Sequence, residues 1–280
     1  MIKGFMGRTH ALLSVMLLCI CMLIPVNIFE ETICLLKDNI LFFIVGITAV
    51  VGGALLPDLD NYQSSAGSTL GFMGSLFTIF MQSTSSMIFT IVHTKHDRHP
   101  MTPHRYFWHT LVAGVGLLSL FIFFMPEGEI TIIEGIKKDT LLVFMQNNIT
   151  LLVFLLFIFM AILCGSNMIL YRVIKLFKLP KYLSYILPAA GLVYVFTLQL
   201  SQLRILGICI GFGYLFHCIE DIFADSGVPI LWPIPIHGKM WQRIKFFVTC
   251  ETGSFANTFV DLIVLTTDFI LIAIIFMGGD

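Results

Sequence analysis

"NILFFIVGITAVVGGALLPDLD", residues 39–60, decides the architecture. Residues 39–56 carry no charged side chain and approach the roughly 20 apolar residues that a helix needs to cross a bilayer. Pro57 then ends the apolar helix, because it has no amide hydrogen and restricts the residue before it. Asp58 and Asp60 follow in a turn that also holds Asn61. Two carboxylates separated by one residue can reach a single ion or bridge two; the plain alternative is a polar helix end stepping into water.

The rest of the chain has the same character. Of 280 residues, 58% are hydrophobic and 12% charged, and mean hydropathy is +0.94. A soluble domain has roughly 45–50% apolar and about 25% charged residues. The composition is that of an integral membrane protein organised as one domain over 1–280. A net charge of −1 supplies no basic field for nucleic acid, so recognition has to be local. The cysteines, Cys19, Cys21, Cys34, Cys164, Cys209, Cys218 and Cys250, lack Cys-x-x-Cys spacing and read as small core hydrophobes. Lys3 and Arg8 precede an apolar run without a small-x-small cleavage site, the pattern of a retained first helix.

Apolar segments at about 11–29, 39–56, 70–92, 107–125, 140–170, 183–200, 203–223 and 258–277 predict an all-α, polytopic transmembrane bundle. Lysine and arginine favour cytoplasmic loops. That bias places the N-terminus, the stretch with Arg172, Lys175, Lys178 and Lys181, and the stretch with Lys239, Arg243 and Lys245 inside, with Glu127–Glu134 outside. Eight crossings would put Lys95–Arg105 on the wrong face. The conflict disappears with about seven spanning helices if 70–92, which carries Gln82, Ser83, Thr84, Ser85 and Ser86, is re-entrant or interfacial. His10, Asp58, Asp60, His104, His109, His217 and Asp221 then share one cytoplasmic layer.

"GYLFHCIEDIFADSGVPILWP", residues 213–233, sets His217 and Asp221 four apart on one helix face, a spacing that presents two ligands to one metal. Glu220 can also turn toward the site. In "PHRYFWHT", residues 103–110, His104 and Arg105 fall near a first helical turn and His109 on the helix itself. Histidines five apart share a face poorly, so different jobs are expected. His109 is the better metal ligand; His104 is a ligand, a proton donor or a supporting group; Arg105 suits a bidentate grip on phosphate or carboxylate. His93, His96 and His99 read as a solvated linker. His10 opens the first apolar helix. Each feature alone admits a structural reading, but their coincidence at one depth favours a metal, since ionisable groups near a membrane must be paired or coordinated. Imidazoles and carboxylates suit zinc, with manganese or iron as alternatives, in one or two ions.

"RTHALLS", "LLPDLDNYQSS", "HRYFWHT" and "GYLFHCIEDIFADSGVPILWP", in that order, resemble the YdjM-like membrane-bound metal-dependent hydrolases, a family of bacterial inner-membrane proteins. The resemblance runs from His10 to about Trp232. It implies a metal site built from His10, Asp58, Asp60, His109, His217 and Asp221, with His104 nearby, and kinship with zinc-dependent phospholipase C and nuclease-type phosphodiesterases. Three departures stand out. Tyr106 and Trp108 replace the glycine and threonine of His-Arg-Gly-x-Thr-His-Ser; Ala224 replaces a threonine, with Asp225 beside it; and Asn257 replaces a glutamate for which Glu251 is a substitute.

The expected function is metal-dependent hydrolysis of a phosphoester in a membrane lipid or lipid-linked substrate at the cytoplasmic face. His104 or Glu220 would carry the proton, Arg105 would hold the phosphate, and Lys239–Lys245 would attract anionic head groups. The competing expectation is a transporter or metal-binding membrane protein without chemistry, supported by Asp261 and Asp268 in the last apolar segment. A third is a catalytically inactive relative, which Asn257 keeps open.

Overall fold

The computed structural model describes residues 7–23, 36, 39–97, 104–125, 149–180, 183–224, 226–246 and 255–277. It is helical, with no extended strand among the described residues. The helices are α1 (Gly7–Leu23), α2 (Ile40–Leu55), α3 (Ser65–Leu70), α4 (Phe72–Ile91), α5 (Leu111–Phe124), α6 (Ile149–Leu176), α7 (Leu183–Thr197), α8 (Leu200–Glu220) and α9 (Phe255–Met277), with 3-10 turns at Pro57–Asp60, Phe107–His109 and Asp221–Phe223. Ile40–Asp60, Ile149–Leu170, Leu200–Phe223 and Thr258–Met277 are long and apolar enough to cross a membrane, and Gly7–Leu23, Leu111–Phe124 and Pro188–Thr197 are shorter apolar helices.

Local chemistry sets the helix ends that matter here. The Asn39 side chain caps α2 by accepting from the amides of Leu41 at 3.0 Å and Phe42 at 3.1 Å, which satisfies donors that have no intrahelical partner. At the other end Pro57 opens the 3-10 turn that carries the two aspartates. Thr110 caps α5, its hydroxyl accepting from the Ala113 amide at 3.2 Å.

α2 is the central helix, packed between α6 and α8. Two glycines permit the approach: a Cβ at Gly52 would fall 1.9 Å from the Ala161 carbonyl oxygen, and one at Gly213 would fall 2.1 Å from that of Val50. Small residues of this kind let membrane helices pack backbone to backbone.

Contacts along the helices place every ligand-bearing end together. Phe121 of α5 lies against Gly207 of α8 and Phe154 of α6, far from the 3-10 turns. Phe276 of α9 meets Phe43 at the opposite end of α2 from Asp58, while Asp261 of α9 meets Thr9 of α1. The N-termini of α1, α5 and α9 and the C-termini of α2 and α8 therefore form one end of the bundle.

Several boundaries differ from the sequence reading. Residues 24–29, 126–148 and His99 lie outside the described residues. α6, described from Ile149, continues through Arg172 and Lys175, where the charge bias predicts a loop. Residues 107–109 are a 3-10 turn ahead of α5, so His109 is not on the α-helix. Its position is set by the extended backbone of Thr110, φ −98° and ψ 156°, which separates the turn from the helix.

Candidate metal centre

Four stretches converge at this end: the start of α1, the Pro57–Asp60 turn, residues 104–109, and the end of α8 with its 3-10 turn. His10, Asp60, His109, His217 and Asp221 are fully buried, and Glu220 and Arg105 nearly so. Asp58 and His104 are half-buried, so the cluster meets its surroundings on their side.

The histidines are held by carboxylates. His109 Nδ1 lies 2.6 Å from Asp221 Oδ2, His10 Nδ1 lies 2.7 Å from Glu220 Oε2, and His104 Nδ1 bonds Asp60 Oδ1. An ionised carboxylate only accepts, so an imidazole Nδ1 facing one donates, and a ring that is neutral then has its lone pair on Nε2. His109 Nε2 faces Asp60 Oδ2 at 3.4 Å without a hydrogen bond. His217 Nε2 lies 3.4 Å from Asp221 Oδ2 and 3.8 Å from Asp58 Oδ1, and neither of its ring nitrogens is hydrogen-bonded. His217 also packs against the rings of His10 and His109, with centroids 4.0 Å and 5.1 Å away.

Acceptors that face one another across a buried space repel unless a cation lies between them. Nitrogen and oxygen ligands about 2.1 Å from a shared ion stand roughly 3–3.5 Å apart, close to the spacings here. Three overlapping donor groups satisfy such a geometry, His10/His217/Asp221, Asp58/His109/His217 and Asp60/His104/His109, each with its donor atoms within 4.8 Å of one another. Charge points the same way. The cluster holds four carboxylates, Asp58, Asp60, Glu220 and Asp221, and among the described residues one guanidinium is ion-paired with them, Arg105, whose Nη2 is 3.2 Å from Asp221 Oδ1. The residues present fit a divalent cation.

Different jobs are expected of His104 and His109 from their spacing, and both stand at Asp60. They are edge to face with centroids 5.5 Å apart. The helical spacing rule fails because the backbone between them turns: Arg105 has φ 60°, and its amide donates to Asp60 Oδ2 at 2.9 Å.

The departures from the family pattern are accommodated around this turn. Tyr106 has φ −113°, so the left-handed position is Arg105 and no glycine is required at 106. Tyr106 packs with Phe89 and Trp241, and the Arg243 guanidinium lies 5.0 Å above its ring. Trp108 donates its indole N–H to Met81 O at 2.9 Å, while its carbonyl accepts from the Tyr214 hydroxyl at 2.8 Å. Ala224 is buried. Asp225, Glu251 and the side chain of Asn257 lie outside the described residues.

Several contributors were not read from the sequence. Ser226 accepts from Arg105 Nη1 at 2.8 Å. Gln82 donates to the Asp60 carbonyl at 2.7 Å and Thr78 to that of Leu59 at 2.5 Å. Asp97 ties the segment after α4 to the segment before Ile244, accepting from the amides of Thr94 (2.7 Å), Trp241 (3.0 Å) and Met240 (3.1 Å). Burial pushes the Asp97 carboxyl up, but these donors together outweigh it and hold its pKa below the ordinary value. The only local signal was the polar run 82–86, which marked a poor spanning helix without indicating its partner.

The YdjM inner membrane protein family model matches residues 5–277. The chain belongs to the YdjM family. The match covers every ligand stretch described above, and with the apolar helices it makes this YdjM protein a multi-pass protein of the inner membrane. Comparison with curated proteins and with solved structures returned no match.

Proposed function

We propose that this YdjM protein is a metal-dependent hydrolase that cleaves a phosphoester of a membrane lipid or lipid-linked molecule at the cytoplasmic face. The observation that carries the reading is the set of buried, mutually facing acceptors at His109, His217, Asp60 and Asp221. One or two divalent ions, zinc first and manganese or iron as alternatives, suit that donor set. Bound there, the metal would supply a water of pKa near 7 and polarise the attacked oxygen.

The chain's own residues divide the remaining work. His10, Asp58, Asp60, His109, His217 and Asp221 hold the cation. Glu220 fixes the His10 ring through Nδ1, the kind of support that orients a metal-binding imidazole. Arg105, held by Asp221 and Ser226, offers a guanidinium to a phosphate oxygen. His104, half-buried and bonded to Asp60, is placed to carry a proton to the leaving group. Arg243, Lys239 and Lys245 provide a basic rim that attracts anionic head groups. The topology proposed with this function has seven crossings, with 72–91 not crossing, and puts all these groups on the cytoplasmic side.

A second reading is a transporter or metal-binding membrane protein without chemistry. Asp268 favours it, because both of its carboxylate oxygens are buried in α9 without a hydrogen bond, and intramembrane acids mark ion pathways.

The test is to purify the protein in detergent, count bound metal, and compare hydrolysis of phosphodiester and phosphomonoester lipids by the wild type and Asp60→Ala. Bound metal with turnover lost in the variant is expected. Metal-free protein, or unchanged turnover in the variant, overturns the mechanism.

A further inference from the structure

We propose that α4, Phe72–Ile91, is an in-plane membrane helix, sunk in one leaflet beside the metal centre, with acyl chains against its outer side and two ligand-bearing turns against its inner side. It rests on the reading above that this segment does not cross.

The buried positions Gly74, Thr78, Met81, Ser85 and Phe89 recur at helical spacing and form one narrow stripe. The opposite side is apolar and open: Phe72 is 76% exposed, Ile79 62%, Met87 57% and Ile91 72%. No Asp, Glu, Lys or Arg occurs from Asn61 to Thr94. A helix facing water carries a polar outer side, and this one has only scattered hydroxyls there. Those of Thr84 and Thr90 bond their own helix, to Phe80 O at 2.9 Å and Ser86 O at 2.8 Å. Hydroxyls folded back on the backbone need no water, which suits a hydrocarbon setting.

The inner stripe touches the ligand end of the bundle. Thr78 and Gln82 bond the backbone of Leu59 and Asp60, Met81 accepts from Trp108, and Phe89 packs on Tyr106 and Trp241. Just past the helix, Val92 O accepts from the Trp241 indole at 2.7 Å. Partners from the first to the last third of α4 thus belong to the same layer, so the helix lies across that layer instead of running along the bundle. Amphipathic surface helices usually need a charged face toward water. α4 lacks one because its polar contacts are made to the protein, and it can sit below the head groups. The centre then has a leaflet-embedded wall, and a lipid can approach Asp58 and His104 from within the leaflet.

The experiment places p-acetyl-phenylalanine at Phe72, Ile79 or Met87 in the full chain, which leaves the native cysteines intact, and attaches a nitroxide. Depth in phosphatidylethanolamine/phosphatidylglycerol vesicles is read by power saturation with oxygen and a nickel chelate. The in-plane helix predicts three depths within about 5 Å of one another, all below the head groups. A crossing helix separates Phe72 from Met87 by roughly 22 Å, and that gradient overturns the proposal. So do labels open to the nickel chelate, or labels shielded from both reagents by a second copy of the chain. Met73, Leu76 and Ile91 form an independent set if one of the first variants does not fold. The measurement reads neither metal nor turnover: a failed hydrolase assay leaves it standing, and a crossing α4 leaves the donor cluster intact.

Discussion

Buried carboxylates occupy two neighbouring places at one end of the molecule, the ligand cluster and the seam between α1 and α9, and they are satisfied in different ways. In the ligand cluster, Asp60 and Asp221 accept from His104, the Arg105 amide and His109, and they also face the Nε2 atoms of His109 and His217 at 3.4 Å without hydrogen bonds. In the seam between α1 and α9, Asp261 accepts from the Thr9 hydroxyl at 2.7 Å and pairs with Arg8. The cluster sets four carboxylates, Asp58, Asp60, Glu220 and Asp221, against one ion-paired guanidinium among the described residues, Arg105 on Asp221; Asp261 by itself has both a donor and a cation. Burial alone therefore does not mark a metal centre. What marks the candidate centre is a surplus of carboxylates over the cations paired with them among the described residues.

Removing a ligand shared by two donor groups should have the largest effect. His217 belongs to both His10/His217/Asp221 and Asp58/His109/His217. His217→Ala is expected to lose bound metal, with turnover down by more than about 100-fold, beyond the usual cost of losing a supporting partner. Metal retained at wild-type stoichiometry by elemental analysis would break the comparison.

Weakening a support should cost less. Glu220→Gln keeps the shape but replaces a charged acceptor on His10 Nδ1, and metal affinity is expected to fall about 10- to 100-fold, read by competition with a chelator. An unchanged affinity would remove Glu220 from the site.

The seam should behave as structure. Asp261→Asn is expected to lower stability by about 1–3 kcal/mol through the uncompensated Arg8, read as Tm, with metal content unchanged. Asp268→Asn is expected to leave both metal and turnover as they are. If either variant abolished function while the fold survived, the transporter reading would replace the hydrolase.

The smallest effect is a pH dependence. The Asp97 carboxyl has its pKa held below the ordinary value, so its stabilisation is fully present above the unfolded carboxylate pKa, near 3.9, and is lost as pH falls through the lower folded value. The Tm gap between wild type and Asp97→Ala should be open at pH 7 and close below about pH 4. A gap independent of pH would show that the charge on Asp97 plays no part.

How much of the centre was legible depended on how local each contact is. His217 and Asp221, four apart on one helix, were readable as a pair, and their atoms stand 3.4 Å apart. His10 and Glu220 are 210 residues apart, and no spacing rule joins them. That His104 and His109 both reach Asp60 was not legible, because helical spacing does not apply to a stretch that the left-handed Arg105 turns back on itself. The polar run 82–86 looked like a defect in a spanning helix; Gln82 uses its amide to hold the Asp60 backbone.

Composition and hydropathy by themselves determined that the chain lives in a membrane, where its apolar helices fall, and which imidazoles and carboxylates sit at helix ends of similar depth. These are properties of residues and their near neighbours, carried by apolar content and periodicity along the chain. Only the tertiary structure decided which nitrogen faces which oxygen, because that depends on how closely helices cross. The approach at Gly52 and Gly213, where a Cβ would fall about 2 Å from a neighbouring backbone, draws α2 against α6 and α8. It thereby brings Asp58 within 3.8 Å of His217, a distance that no stretch of either helix encodes alone.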